Sequence, residues 1–329
     1  DLALRSMKIS GFTFVKNASK LYIPAKEAIL SILPICDEFV IALGDNDDDD
    51  NTLELINSIG SDKIRIVHTV WDTSTYTRNT EFARQTDIAK QNCTGDWLFY
   101  IQCDEAIHEA NLPLVKSACE HYNNQKEVEG FLFNYYHFWG DYKHYHNDHV
   151  WYKKEIRVIR NDSKIHSWKD AQSFRWFEQH DGKFEDYQKK EGCRKLNVIE
   201  LKAYIFHYGY VRPPELMTKK TKKNSNSYRG EEATAAFMKN EPDAHDYGPL
   251  HKLNTFSGEH PRVMEGWINK HDWGNQLQYE GSRNSNRPKH KHEKTKYRVV
   301  SWIENNLIGG RVIGGFKNYN IVGKFYLEE

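Results

Sequence analysis

The sequence has few cysteines and no long hydrophobic run. Its 329 residues include five cysteines, none in a CxxC pair, which argues against a disulfide framework and against a cysteine-rich zinc module. The odd number fits a reducing compartment, so we expect a cytoplasmic protein. No stretch approaches the roughly 18 apolar residues of a membrane helix, and no charged-then-apolar leader opens the chain, so we expect no transmembrane segment.

The chain also has no surplus of positive or of negative charge. Lysine plus arginine equals aspartate plus glutamate at 46 each, so the overall charge argues against nucleic acid as a partner. Two local basic stretches, 219–223 and 283–298, stand out from this balance. They are either solvated loops or clamps for an anion, such as a diphosphate or a lipid-linked pyrophosphate at the inner face of a membrane. The segment 307–326, with few charges, either packs on the core or lies on a membrane.

Neither glycine-rich phosphate loop is present. No GxGxxG follows the first predicted strand, and no GxxxxGK[ST] occurs in the chain, which argues against dinucleotide enzymes and P-loop phosphotransferases. A nucleotide site without such loops needs another way to neutralise a diphosphate. A Mg²⁺ or Mn²⁺ ion held by carboxylates is one.

The first hundred residues alternate between strand and helix patterns. Strands are predicted at 9–15, 39–43, 64–67 and 97–101, with helices at 25–32, 52–56 and 80–91. This order predicts parallel strands joined by right-handed crossovers, with a ligand crevice at the carboxyl edge of the sheet.

Acidic residues follow two of these strands. The apolar run 97–101 is soon followed by Asp104 and Glu105, which are placed where a divalent cation and a phosphorylated ligand can meet them. The run 45–50 follows the second strand, and Asp45 or Asp47 is a candidate contact for a nucleoside. The alternative for both groups is a solvated turn.

Five segments together resemble a known family. In chain order they are strand 9–15 with Lys16-Asn17, strand 39–44 with its acids, helix segment 84–89, Gly95-Asp96-Trp97, and Gln102-Cys103-Asp104-Glu105. They resemble the donor half of family 2 glycosyltransferases over about residues 8–160 of this chain. The resemblance implies a GT-A fold, in which an Asp-x-Asp-like motif holds a divalent metal on the diphosphate of a nucleotide sugar.

Asp104 would then be the surviving carboxylate of that motif, with Gln102 in place of the first acid. This Gln-x-Asp-Glu variant, with segments 207–214 and 315–319, is similar to a bacterial-type subgroup. The resemblance implies Mn²⁺ or Mg²⁺ held by Asp104 and His207, although a lone histidine is about as often a core residue. The residues implied to bind the donor, a UDP-sugar by preference, are Thr13, Phe14, Asn17, Asp45, Asp47, Arg84, Asp87, Gln102, Asp104 and Glu105.

Transfer also needs a base that takes the proton of the acceptor hydroxyl. Asp170 lies where the family's base usually falls, and Asp186 and Glu178 are rivals. Segments 131–139 and 151–160 predict two aromatic strands, whose rings either stack on sugars or fill the core. The HxHxxH run at 144–149 has no nearby cysteine, which argues against zinc.

These observations predict an α/β fold with a mostly parallel GT-A sheet, helices on both faces, and C-terminal helical and loop-rich additions. We expect a catalytic domain at 7–214, with a nucleotide-sugar half at 7–105 and an acceptor half at 106–214, and a helical, basic extension at 215–329. The expected activity is inverting, metal-dependent transfer of a sugar to a glycan or lipid-linked acceptor in polysaccharide or glycoconjugate synthesis. The alternatives are a non-catalytic carbohydrate-binding protein and a nucleotidyltransferase, which would need a glycine-rich basic loop where this chain has 13–17.

Overall fold

The computed structural model describes residues 6–239, 241–282, 287–315 and 317–327. Arg283 of the second basic stretch and Phe316 of the 315–319 segment lie outside the described residues. Eight α-helices are described: α1 (Ala25–Ile32), α2 (Thr52–Asn57), α3 (Thr80–Gln91), α4 (Leu112–His121), α5 (Pro214–Arg229), α6 (Glu231–Met238), α7 (Glu265–Asn269) and α8 (Thr295–Asn306). None of the helices in the described ranges is long and apolar enough to cross a membrane.

The strands form one large curled sheet. They are β1 (Ile9–Val15), β2 (Glu38–Leu43), β3 (Ile64–His68), β4 (Trp97–Tyr100), β5 (Glu105–Ile107), β6 (Gly130–Trp139), β7 (His144–His146), β8 (Lys154–Arg160), β9 (Ile165–Trp168), β10 (Ser173–Phe177), β11 (Cys193–Tyr210), β12 (Asn254–Thr255) and β13 (Tyr319–Phe325). Their main order is β3-β2-β1-β4-β8-β6-β11-β10-β9. The predicted α/β class is confirmed.

Parallel pairing holds for the first half of the sheet. β3, β2, β1 and β4 are mutually parallel, as the alternation of strand and helix predicts. β8 then enters antiparallel between β4 and β6, because it returns from β6 without a crossover helix. The second half is therefore mixed, and the expectation of a mostly parallel sheet applies to the nucleotide-sugar half alone.

Helices cover both faces of the parallel half. α1 and α4 pack on one face against Trp97 and Phe99, while α3 packs on the other against Leu98 and Tyr100. Alternate residues of β4 therefore serve two cores, which explains why the strand is apolar at every position. Burying both faces also fixes where the strand ends, and hence the position of the residues that follow it.

The aromatic strand β6 contributes to the core rather than to the surface. Phe131, Phe133 and Phe138 are fully buried. Beyond it, the segment 247–277 packs over the far end of the strand, where the Trp139 indole donates to the Tyr247 carbonyl at 2.8 Å. β13 pairs in parallel with β11, so the C-terminal region adds a strand to the same sheet. The domain boundary at 214, where α5 begins, stays a prediction.

Candidate functional site

A cavity of about 180 Å³ lies at the carboxyl ends of β1 and β4. Because the two strands are parallel and adjacent, the residues that follow them meet at one edge of the sheet. Helix α5 covers the opening. The lining residues are Phe14, Val15, Lys16, Leu21, Ile23, Trp71, Phe82, Gln102, Cys103, Asp104, Lys220, Lys223 and Asn224.

Three aromatic side chains form one wall of this cavity. The ring centroid of Phe14 lies 5.9 Å from that of Trp71 and 5.5 Å from that of Phe82, and the centroids of Trp71 and Phe82 are 5.5 Å apart. The indole N–H of Trp71 is buried and finds no hydrogen-bond acceptor among the described residues. A Cβ on Gly44 would lie 2.5 Å from this nitrogen, so glycine is what lets the indole pack here. An aromatic wall with an unpaired donor suits a nucleobase, which offers a π-face and edge acceptors.

Positive charge gathers around one carboxylate of this cavity. The Lys220 ammonium lies 3.3 Å from Asp104 Oδ2 and donates to the Gly209 carbonyl at 2.8 Å. Burial, joined by the nearby Arg212 charge, lowers the pKa of Lys220 to about 7. Burial alone would raise the pKa of the Asp104 carboxyl, but the nearby positive charges of Lys220 and Arg212 hold it well below its usual value. Asp104 is therefore ionised at neutral pH.

A chain of hydrogen bonds determines which ring nitrogen of His207 carries the hydrogen. His137 Nε2 lies 2.7 Å from the Tyr152 carbonyl, which can only accept, so this nitrogen carries a hydrogen. Burial lowers the pKa of both histidines, so each ring is neutral and His137 Nδ1 is an acceptor. His207 Nδ1, at 3.0 Å, is then the donor. His207 Nε2 is left with a bare lone pair, 3.8 Å from Asp104 Oδ2.

This arrangement fits a divalent cation. A carboxylate oxygen and an imidazole lone pair face each other, and the second ring nitrogen is held by a hydrogen bond, as in many metal-binding histidines. The gap between them is kept open by Gly209, where a Cβ would lie 2.5 Å from His207 Nε2 and 2.7 Å from Asp104 Oδ2. Lys220 contacts the same Oδ2, so it neutralises the carboxylate and would share that oxygen with a cation.

Glu105 belongs to the protein's interior in this structure. It is fully buried in a two-pronged ion pair with Arg157, with Nη2 to Oε1 at 2.7 Å and Nε to Oε2 at 2.8 Å. The Tyr135 hydroxyl and the Gln102 backbone N–H donate to the same carboxylate at 2.9 and 3.1 Å. The structure therefore places Glu105 behind the cavity, where it fixes the turn that presents Asp104.

Gln102 links the cavity to the loop of the predicted base. Its side-chain N–H donates to the Ala171 carbonyl at 3.2 Å. Asp170, the residue before, is exposed and is flanked by two left-handed residues, Lys169 at φ 57° and Ala171 at φ 64°. Burial, Asp104 and Asp170 all raise the pKa of Tyr210, so Asp170 lies within electrostatic range of the Asp104 site.

The acidic loop after β2 is tied to the end of β1. Asn17 adopts a left-handed conformation, at φ 53°, and its side-chain oxygen accepts from the Asp47 N–H at 2.8 Å. Asp45 pairs with Lys16 at 2.9 Å, and Asp47 pairs with Lys20 at 3.0 Å. These contacts place all three predicted residues beside the cavity rim, next to Lys16, which lines it.

Three further predicted residues make contacts away from the cavity lining. Thr13 is buried and donates to the Ile101 carbonyl at 2.6 Å, which joins β1 to the end of β4. Arg84 pairs with Glu81 at 2.7 Å. Asp87 accepts from the backbone N–H of Ser167 and from a histidine of β9, at 2.8 and 2.9 Å, and so ties α3 to that strand.

Asp87 also forms a second cluster with metal-binding side chains. With His166 and His180 it brings three potential ligand atoms within 4.8 Å of one another. However, His166 Nδ1 donates to Asp87, and His180 Nδ1 accepts from the Gly182 N–H at 3.2 Å. The neutral His180 ring then carries its hydrogen on Nε2, so binding a cation at this nitrogen would require the hydrogen to move to Nδ1 and the hydrogen bond from Gly182 to break. The Asp104–His207 pair needs no such change.

Sequence reasoning missed part of the site. Trp71 and Phe82 carried no signal, because they lie in a loop and a helix far from β1 in the chain. The basic stretch 219–223 was singled out, but its helical spacing was not used. Lys220 and Lys223 are three residues apart on α5 and both line the cavity, whereas Lys219 and Lys222 do not.

Comparison with known proteins gives fold neighbours only. No family model and no curated protein matches the sequence. Among solved structures, residues 1–349 of S. aureus TarS match with 12% identity and a TM-score of 0.36, covering 67% of this chain and 65% of that one. The same protein with UDP matches with 13% identity, a TM-score of 0.35 and 71% coverage of both chains. Glucosyl-3-phosphoglycerate synthase from Mycobacterium tuberculosis, with Mn²⁺, UDP and phosphoglyceric acid, matches with 15% identity and a TM-score of 0.28, covering 40% of this chain and 44% of that one. This chain thus spans slightly less than two thirds of the length of the TarS structure of residues 1–349 without UDP.

Proposed function

We propose that this protein is a metal-dependent, inverting glycosyltransferase that uses a nucleotide diphosphate sugar, a UDP-sugar by preference, as the donor. One observation carries the proposal. A single cavity at the carboxyl edge of parallel strands combines an aromatic wall, three lysines and Asp104, whose Oδ2 lies 3.8 Å from Nε2 of the buried His207. A nucleobase, a diphosphate and a divalent cation are the chemical groups that these three features fit.

The residues divide the donor between them. The base would lie against Phe14 and Trp71, and the diphosphate would lie toward the lysines and Asp104. A bound Mn²⁺ or Mg²⁺, held by Asp104 and His207, would neutralise the diphosphate and stabilise it as a leaving group. Lys220 and Lys223 would add positive charge where negative charge develops during the reaction.

The transfer step would use Asp170 as the base. The oxygen of an acceptor hydroxyl attacks the anomeric carbon, and its proton passes to the Asp170 carboxylate. The bond between the anomeric carbon and the diphosphate oxygen breaks, and the electron pair leaves with the nucleoside diphosphate. Attack opposite the leaving group inverts the anomeric centre. The acceptor would be a glycan or a lipid-linked sugar in polysaccharide or glycoconjugate synthesis.

Nucleotide binding tests this proposal. The melting temperature would be measured with UDP, GDP, CDP, dTDP and ADP, each with and without Mn²⁺, because a ligand that binds the folded state raises it. We expect a Mn²⁺-dependent increase with one nucleotide, and its loss in Asp104→Asn. Asp62→Asn, an exposed acid at the opposite edge of the sheet, is the matched control and should keep the increase. An increase with none of the nucleotides would contradict the proposal and favour a carbohydrate-binding protein.

A further inference from the structure

A second cavity, of about 500 Å³, lies between the start of β8 and the C-terminal segment 309–324. Its walls come from residues 149–155, from Gln172, and from residues of the C-terminal segment that precede and begin β13. No sequence pattern indicated this cavity, because its two walls are more than 150 residues apart in the chain.

The lining of the second cavity is strongly cationic. Five basic side chains line it, against a single carboxylate, Glu155: the five are Lys153, Lys154, Arg311, Lys317 and Lys324. Lys154 and Lys324 share Glu200, and Lys153 lies 3.8 Å from Glu304. Arg311 and Lys317 form no ion pair with any other described residue.

Glu155 does not cancel this charge. Its carboxylate is buried and accepts hydrogen bonds from Ser173 at 2.8 Å, Gln172 at 3.1 Å and Asn318 at 3.4 Å. Burial raises the pKa of Glu155, and even in its ionised form this single carboxylate faces five cationic side chains. The cavity therefore has a positive potential that would attract an anionic group.

Direct contacts link the second cavity to residues of the donor cavity. Gln172 lines the second cavity, and the preceding residue, Ala171, accepts a hydrogen bond from Gln102 in the first. Trp151 also lines the second cavity, and its ring centroid lies 4.9 Å from that of Tyr210, over which Lys220 is placed. The turn that carries Asp170 thus contacts a lining residue of the first cavity and contributes one to the second.

We propose that the second cavity binds the acceptor, and that this acceptor is an anionic glycan, one that carries phosphate, sulfate or carboxylate groups. The inference rests on the proposed glycosyltransferase function and adds a substrate class to it. Trp151 offers an apolar face for a sugar ring, while Arg311 and Lys317 are available to pair with the anionic group. An acceptor held here would lie beside the turn 169–172, which carries Asp170, the proposed base.

Calorimetry with three related disaccharides tests the proposal. Maltose, maltose 1-phosphate and maltobionate would be titrated into the protein with the nucleotide diphosphate and Mn²⁺ at saturation, so that the first cavity is filled. We expect the anionic sugars to bind about tenfold more tightly than maltose, the size of effect that about 1.4 kcal/mol produces. The preference should shrink at 1 M salt, where the Debye length is about 3 Å. Comparing phosphate with carboxylate then identifies the anionic group.

Matched variants test whether the preference for anionic sugars arises in the second cavity. Arg311→Ala with Lys317→Ala should abolish the preference for anionic sugars and leave nucleotide affinity unchanged. Lys116→Ala with Lys126→Ala, which removes the same charge from the exposed surface in and after α4, should change neither. The proposal would be overturned by equal binding of the three sugars, or by a preference that survives in the first double variant. Failure of the proposed function is distinguishable, because nucleotide binding would then be absent in the wild type.

Discussion

Breaking the buried pair of Glu105 and Arg157 should cost a large part of the folding free energy. Both side chains are fully buried, and two short hydrogen bonds join them. In Arg157→Met the carboxylate loses both bonds and its counter-charge, and retains the Tyr135 hydroxyl and one backbone N–H. Removing one partner of such a pair costs about 3 to 5 kcal/mol. Since whole domains have about 5 to 15 kcal/mol of stability, the loss is severe.

Urea unfolding followed by tryptophan fluorescence measures this loss. Arg262→Met is the matched control, because Arg262 is 85% exposed and lies 3.6 Å from Glu109, so it should change the free energy by about 1 kcal/mol or less. The double variant Glu105→Leu with Arg157→Met should recover part of the stability, since no lone charge then remains buried. A loss below about 1 kcal/mol in Arg157→Met would refute the assignment of Glu105 to the interior.

Three other substitutions test the donor site. Trp71→Ala should weaken binding of the preferred nucleotide by about 1 to 3 kcal/mol, or roughly 5- to 150-fold in Kd by calorimetry, because a stacking surface is lost. Asp170→Asn should keep nucleotide affinity and lose transfer, measured as nucleoside diphosphate release; unchanged release would exclude Asp170 as the base. Gly209→Ala should abolish the Mn²⁺-dependent part of nucleotide binding, since its methyl group would fill the gap between the two ligands. The control Gly266→Ala, with no heavy atom within 4 Å of the added carbon, should bind normally.

The sequence predicted the parts of this molecule that local patterns determine. The alternation of strands and helices in the first hundred residues gave the parallel half of the sheet. The apolar run at 97–101 located β4 and, with it, Asp104 at the carboxyl edge. Each of these inferences needs only periodicity and the geometry of parallel strands.

Contacts between segments far apart in the chain could not be predicted from the sequence. Asp104 and Glu105 look alike in sequence, but Glu105 begins β5 and turns toward an arginine of β8 that lies 52 residues further along the chain. Lys220 reaches Asp104 only because α5 folds back over the sheet edge. The antiparallel entry of β8 was missed for the same reason, since a sequence pattern shows which residues are buried but not which strand is the neighbour.

The position of a bound metal ion is the most direct test of the proposal that Asp104 and His207 hold the cation. Crystals grown with Mn²⁺ and the preferred nucleoside diphosphate would be measured at the manganese absorption edge. We predict an anomalous peak between Asp104 Oδ2 and His207 Nε2, with the nucleobase against Phe14 and Trp71. A peak at the cluster of Asp87, His166 and His180 instead, or a nucleotide bound outside the first cavity, would contradict it.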